Sequence, residues 1–159
     1  QNIKQWFDTR INYLIIGSFA INSFDEFYQS INEHDKSKII IALDVMIENM
    51  EPIVMTHGWK ESSNQSLWHL IEKFNKVGFN HYLVTDISKD GTLIGPNIDL
   101  YKQCLEKSPR SVFIASGGVS NIQDLYQLRE ISIQAAVSGK ALLEGKISNR
   151  EVFKFLQEE

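Results

Sequence analysis

A single cysteine, Cys104, stands among the 159 residues, which excludes an internal disulfide and any cluster of thiolate metal ligands. Its place in a helical pattern reads as a small buried hydrophobe, and such sparing use of cysteine fits a reducing cytoplasm. Long hydrophobic runs are missing too. No apolar stretch approaches the roughly 20 residues that span a bilayer, and the N-terminus has no charged-then-apolar signal pattern, so no membrane association is expected. Basic charge is also scarce: 16 Lys and Arg against 20 Asp and Glu leave a formal net charge of -4 and a pI near 5.6. Without a basic patch interleaved with aromatics, nucleic acid is not an expected partner. His34, His57, His69 and His81 show no ligand spacing, so no metal is expected. What is present is an ordinary globular composition, 43% hydrophobic and 23% charged, long enough to bury one core, and a single domain over residues 1–159 is expected. The first residue is Gln rather than Met, which suggests a trimmed or incomplete polypeptide.

Along the chain, strand-like and helix-like segments alternate. Residues 2–9 read as the tail of a helix and Ile11 to Ile16 as a strand that stops at Gly17-Ser18. Ser23 is placed to cap a helix with Phe24, Phe27, Tyr28 and Ile31 on one face. The continuous I-I-I-A-L of Ile39 to Leu43 reads as a strand buried on both sides, ending on Asp44. Residues 45–59, polar at Glu48, Asn49 and Glu51 and interrupted by Pro52, read as a long loop with Ile53 to Met55 as a short excursion strand. A helix is expected to start at Ser62 or Ser63, carry Leu67, Leu70, Ile71 and Phe74, and end at Gly78.

Tyr82 to Val84 is the next strand. Pro96 and Asn97 introduce a helix with Leu100, Tyr101 and Leu105 inward, closed before Pro109. Val112 to Ala115 is a strand running into Gly117-Gly118, followed by a helix with Ile122, Leu125, Leu128 and Ile131. The strand Ala135 to Val137 runs into Gly139-Lys140, and a last helix over Ser148 to Leu156 has Val152, Phe153 and Leu156 inward. Trp68 and Trp6 are assigned to the core. Strand and helix units of roughly 30 residues in alternation demand a parallel sheet.

The stretch richest in chemistry is Y-L-V-T-D-I-S-K-D-G-T-L-I-G-P-N, Tyr82 to Asn97, a buried strand that ends abruptly in hydroxyl, carboxylate, lysine and glycine. In a (β/α)8 barrel the active site is built from the loops after the C-terminal strand ends, which would set Thr85, Asp86 and Asp90 around the mouth. A capped turn explains the same residues more plainly. I-I-G-S-F-A at 15–20 and V-S-G-K-A-L at 137–142 share a strand-to-glycine ending. Glycine before a helix start lets backbone N–H groups approach a phosphate, although any one of these glycines also fits a tight turn. Gly117-Gly118 with Gly139-Lys140 would form one phosphate cradle, and Gly17-Ser18 would help hold a second.

With A-L-D, H-G-W, T-D-I-S-K-D-G-T-L-I-G-P-N, A-S-G-G-V-S and G-K-A-L-L-E-G-K-I in this order, the sequence resembles the phosphoribosylformimino-5-aminoimidazole carboxamide ribotide isomerases of histidine biosynthesis. The resemblance implies the C-terminal part, about strands four to eight, of a (β/α)8 barrel that turns an aminoaldose, ProFAR, into an aminoketose, PRFAR, by an Amadori rearrangement. It implies a substrate with a phosphate at each end, carboxylate acid–base catalysis and no cofactor. Asp44 resembles the family's proton donor and Asp90 a second acid proposed for that role; read plainly, they are a cap and a turn residue. Thr85 would bond the sugar or simply fill a strand, and Trp59 resembles the loop aromatic that stacks on the imidazole. The family's first-strand aspartate, its general base, has no counterpart; Asp8 lies in a helix tail and is no substitute. The isolated chain is therefore expected to be inactive, to expose an apolar edge at Ile11 to Ile16, and to self-associate or be complemented by the first three strands. Two alternatives stand: the cyclase subunit of imidazole glycerol phosphate synthase, against which G-K-A-L-L-E-G argues, and a non-catalytic partial barrel that binds phosphosugars.

Overall fold

The computed structural model of the chain describes residues 3–7, 9 and 11–158; Asp8 and the outer parts of the N-terminal helical reading lie outside the described residues. The chain divides into two compact units, Gln1–Leu83 and Val84–Glu159. The first holds α1 (Ile3–Phe7), β1 (Leu14–Ile16), α2 (Ser18–Asn22), α3 (Phe24–Ser30), a 3-10 segment Glu33–Lys38, β2 (Ile39–Glu48), β3 (Glu51–Thr56), β4 (Glu61–Ser66), α4 (Leu67–Lys76) and the start of β5 (His81–Asp86). Continuous aliphatic sequence makes β2 a strand that buries one face fully, Ile39, Ile41, Leu43 and Val45 having no exposed surface, while on the other face Ile40 is buried and Ala42 and Asp44 are half-buried. β1 pairs with it in parallel, Leu14 opposite Ile39 and Ile16 opposite Ile41. Ser66 starts α4 by accepting the His69 amide at 3.2 Å, and the helix buries Leu67, Leu70, Ile71 and Phe74. It stops where Gly78, at φ +91, turns the chain so that the Phe79 amide reaches the Phe74 carbonyl at 3.1 Å. Phe27, wholly buried, completes this core, its ring centroid 5.2 Å from that of Phe79 and 6.3 Å from that of Phe74.

The structure corrects the reading of residues 44–66. β2 does not end at Asp44 but runs on to Glu48 and returns through a two-residue turn, Asn49 and Met50, both at positive φ. Residues 45–59 are therefore not one long loop: Glu51–Thr56 form β3, antiparallel to β2 with Asp44 opposite Met55 and Ile47 opposite Pro52, and the excursion strand at Ile53 to Met55 is its centre. Pro52 is tolerated because the β3–β4 pairing begins only at Ile53, opposite Ser66, leaving no ladder partner that needs its missing N–H. Ser62 and Ser63 lie in β4, a polar antiparallel edge strand, rather than starting a helix. Ser23 precedes α3 but makes no side-chain cap bond. Trp6 is 45% exposed, not a core residue, whereas Trp68 is half-buried. At β1, Tyr13 and Ile15 are 57% and 54% exposed.

The second unit holds the end of β5, then α5 (Ile98–Lys107), β6 (Val112–Ser116), α6 (Ile122–Glu130), β7 (Ala135–Ala136), α7 (Lys140–Leu143) and α8 (Asn149–Gln157). Asn97 caps α5 by accepting the Leu100 amide at 3.1 Å, and the helix buries Leu100, Tyr101 and Cys104. Burial pushes the Cys104 thiol up to about 12, so it serves as a hydrophobe. The Tyr101 hydroxyl accepts the Ser116 amide at 3.0 Å and lies 2.8 Å from the Ser116 carbonyl and 3.1 Å from that of Val84, tying the end of β5 to the end of β6. β6 and β7 pair in parallel, Ile114 opposite Ala135. α8 differs from expectation: it buries no residue, and Phe153 and Leu156 are 64% and 57% exposed. Its inward contact comes from Phe155, edge-on to Tyr126 at 5.1 Å, with the Arg129 guanidinium 4.3 Å over the ring. The parallel strands with intervening helices make this the α/β architecture of part of a (β/α)8 barrel.

His81, at the start of β5, is half-buried, and its Nδ1 is buried without a hydrogen-bond partner. Burial holds its pKa below the ordinary 6.5. The unfolded chain then binds the proton more readily than the folded one, so this contribution to stability is complete above pH 6.5 and is lost as the pH falls below it. Denaturant midpoints should fall between roughly pH 7.5 and pH 5.5, by less in His81→Gln, and an identical slope in both proteins would refute this account.

Candidate functional site

In the first unit, four of the expected site residues gather around β2. Asp44 is half-buried in mid-strand rather than capping a helix, and the Trp59 indole N–H donates to its Oδ2 at 2.9 Å. Trp59 sits in the β3–β4 turn, where His57, Gly58 and Trp59 all take positive φ and the ring stays 41% exposed. Three successive residues in the left-handed region are costly outside glycine, at about 1–3 kcal/mol each, so this turn holds the indole against Asp44 at the expense of backbone strain. Ser18 Oγ accepts the His57 amide at 3.0 Å. A Cβ on Gly17 would meet Ala42 at 3.7 Å, an ordinary contact.

In the second unit, Asp90, Gly117, Gly118, Gly139 and Lys140 line one cavity of about 200 Å³, together with Gly91, Leu93 and Ser116. The cavity is smaller than the pockets of about 300–1,000 Å³ that hold whole small-molecule ligands. Gly117 and Gly118, at φ +94 and +88, bring the end of β6 against the loop after β5: a Cβ on Gly117 would lie 2.6 Å from the Asp86 carbonyl, and one on Gly118 would strike the Gly95 carbonyl. Backbone packing alone thus accounts for both glycines. Gly139 is different, since a Cβ there would meet nothing within 4 Å. The helix after it is a single turn, so its dipole is weak and the Lys140 charge is the main attraction for an anion. Lys140 Nζ donates to the Gly91 carbonyl at 2.8 Å and lies 3.9 Å from Glu144, closing the cavity on one side.

Not every expected residue joins these groups. Thr85 is 6% exposed and is not among the residues lining the cavity, which agrees with a strand-filling role. Asp86, expected at the mouth, is buried with 1% of its surface exposed. A larger cavity of about 830 Å³ lies between α6, β7 and α8, but its walls are mostly aliphatic, and its one cation, Arg129, already bonds the Phe155 carbonyl and pairs with Glu158. It offers no converging acid and donor. Residue types alone did not mark Asn97, Ser88 and Asp124 as the bonding partners that shape the loops; only the Asx-turn spacing D-x-S at 86–88 hinted at one of them.

A family model described as histidine biosynthesis protein matches residues 1–148. The chain belongs to this family. Among curated relatives, a protein of Buchnera aphidicola subsp. Schizaphis graminum is 38% identical over 159 residues, covering all of this chain and 65% of that protein. One of Elusimicrobium minutum is 41% identical over 151 residues, covering 95% of this chain and 62% of that protein. Both are named 1-(5-phosphoribosyl)-5-((5-phosphoribosylamino)methylideneamino) imidazole-4-carboxamide isomerase. The chain thus spans less than two thirds of the length of these relatives.

The glycine contacts give a sharp contrast. Gly118→Ala should cost about 1–3 kcal/mol in chemical denaturation, because its φ of +88 and the Gly95 carbonyl both oppose a side chain. Gly139→Ala should cost less than about 1 kcal/mol. Equal losses would remove the packing explanation for Gly118.

Proposed function

We propose that the chain is part of an aldose–ketose isomerase of histidine biosynthesis that converts an aminoaldose carrying two phosphates into the aminoketose by proton transfers between carboxyl groups and substrate, without a cofactor. The names of the relatives support the reaction. The observation that carries the reading for this chain is the cavity shared by Asp90, Gly117, Gly118, Gly139 and Lys140, which joins an acid to a cluster of amides and a cation. One phosphate of the substrate lies there, held by the Gly118 and Gly139 N–H groups and the Lys140 ammonium. Gly17 and Ser18 contact the second phosphate.

Opening the sugar ring requires a proton on the ring oxygen while C1 gains imine character. Asp44 is the proposed donor, with Asp90 the second candidate. Trp59 lies against the imidazole. Its indole N–H already occupies one oxygen of Asp44, so the other oxygen is the one that carries and delivers the proton. The isomerisation then needs a base at C2. Turnover is accordingly proposed for the chain complemented by a polypeptide that supplies the remaining part of the relatives' length.

Two measurements test this. Phosphate titrated into the labelled chain should shift the amides of Gly117, Gly118, Gly139 and Lys140, and a titration that leaves all four unmoved would remove the binding half of the proposal. In the complemented protein, Asp44→Asn should lower kcat by about 10² to 10⁴. Retention of the wild-type rate in both Asp44→Asn and Asp90→Asn would remove the catalytic half.

A further inference from the structure

The loop that carries Asp90 is held at both ends by one buried side chain. Asp86 closes β5 with 1% of its surface exposed, and its two oxygens serve opposite ends of residues 87–97. Oδ1 accepts the Ser88 amide at 3.0 Å and the Ser88 hydroxyl at 2.7 Å. Oδ2 accepts Asn97 Nδ2 at 2.7 Å. The Asp86 backbone carbonyl accepts the amides of Lys89 and Asp90, each at 3.1 Å. Asn97 in turn caps α5 through the Leu100 amide, and Gly95 donates to the Gly118 carbonyl at 2.9 Å.

We infer that Asp86 is a positioning residue, which sets the loop 87–97 so that Asp90 faces the Gly117–Gly118 cavity. The chemistry requires a carboxylate rather than an amide. An Asx turn alone needs only one side-chain oxygen, which Asn supplies equally well. Here the second oxygen also faces a donor, the Asn97 amide NH2, so Asn at position 86 would set two NH2 groups against each other. Releasing Asn97 frees the far end of the loop from β5 and loosens the cap of α5, while the hydrogen bonds of the Lys89 and Asp90 amides to the Asp86 carbonyl remain at its near end. The importance of Asp90 rests on the function proposed above; its placement by Asp86 does not.

The reversed pair tests the inference. Asp86→Asn removes one acceptor, and Asn97→Asp sets two carboxylates face to face. The double variant Asp86→Asn with Asn97→Asp restores one donor and one acceptor in the opposite sense and keeps a carboxylate to cap Leu100. Asn97→Ser, which keeps a cap but is too short to reach Asp86, serves if either single variant fails to fold. Three readings are taken on the 159-residue chain: the NMR titration of the Asp90 carboxyl, amide exchange of Lys89 and Asp90 relative to amides of β6, and phosphate affinity from the Gly118 amide. In Asp86→Asn and Asn97→Ser, the Asp90 titration should shift and its amide should exchange about tenfold faster while β6 is unchanged, and the double variant should reverse both. Lower overall stability with an unmoved Asp90 titration, or a double variant no better than the singles, would overturn the inference. Failure of the wild-type chain to bind phosphate would count against the proposed function alone, since the carboxyl titration and the exchange rates still decide the role of Asp86.

Discussion

Burying a carboxylate costs several kcal/mol unless its oxygens find donors, and the second unit is arranged around meeting that demand at Asp86. Ser88 and Asn97 meet it, and in doing so they fix where the loop leaves β5 and where it enters α5. The Asp86 carbonyl, turned toward the end of β6, then leaves no room for a side chain at position 117. The same crowding repeats one residue on, where Gly118 and Gly95 share a hydrogen bond and exclude any Cβ. Tyr101 holds the two strand ends together from beneath; burial raises its pKa, so it remains a neutral hydroxyl that both accepts and donates. A second buried carboxylate, Asp124, repeats the arrangement after β6 by accepting the Ser120 amide and hydroxyl at 2.7 Å each. Two acids are thus spent on shaping loops, whereas Asp90 is exposed and lines the cavity.

The first unit meets a different constraint. β2 is buried along its first half and then leaves the core, so its backbone needs partners that a parallel neighbour does not supply. β3 provides them as an antiparallel neighbour, β4 pairs with β3 in turn, and the turn between β3 and β4 carries Trp59 back to Asp44. The strained turn at His57 to Trp59 is held by the Ser18 hydroxyl, which accepts the His57 amide at 3.0 Å, and His57 Nδ1 lies 3.1 Å from the Glu61 carboxylate. Asp44 lies near the point where the strand changes partners, which leaves its side chain half-buried.

Elements with strong periodicity were legible in the sequence. α4 buries the same Leu67, Leu70, Ile71 and Phe74 that the spacing marks, and the continuous aliphatic run of β2 is as buried as its composition demands. β4 was not legible, because E-S-S-N-Q-S has the composition of a loop and becomes a strand only through the ladder that β3 offers. The β2–β3 hairpin lacked the Asn-Gly turn signal: Met50 takes the left-handed position that glycine normally fills and is 93% exposed. In α8 the apolar residues Val152, Phe155 and Leu156 share one face, with Phe153 at its flank, so spacing marks the apolar side but not how far the rest of the unit covers it, and no residue of the helix is buried. At the candidate site, a carboxylate that lines a cavity and a carboxylate that braces a loop look alike in sequence; Asp86 and Asp90 were separated only by burial.

The glycines show how structure redistributes weight among signals that look equal in sequence. Gly117 and Gly118, the most conspicuous doublet, are required by packing whether or not a ligand ever arrives. Gly17 and Gly139, each less conspicuous, adopt nearly the same backbone, with φ of -104 and -102 at the start of short helices, and each accepts an amide three residues on, at 2.9 and 3.1 Å. Around Gly139 a methyl group would touch nothing. Packing thus places no demand for glycine on the plainer repeat, whereas the doublet that drew attention first is part of the scaffold that holds the loop of Asp90.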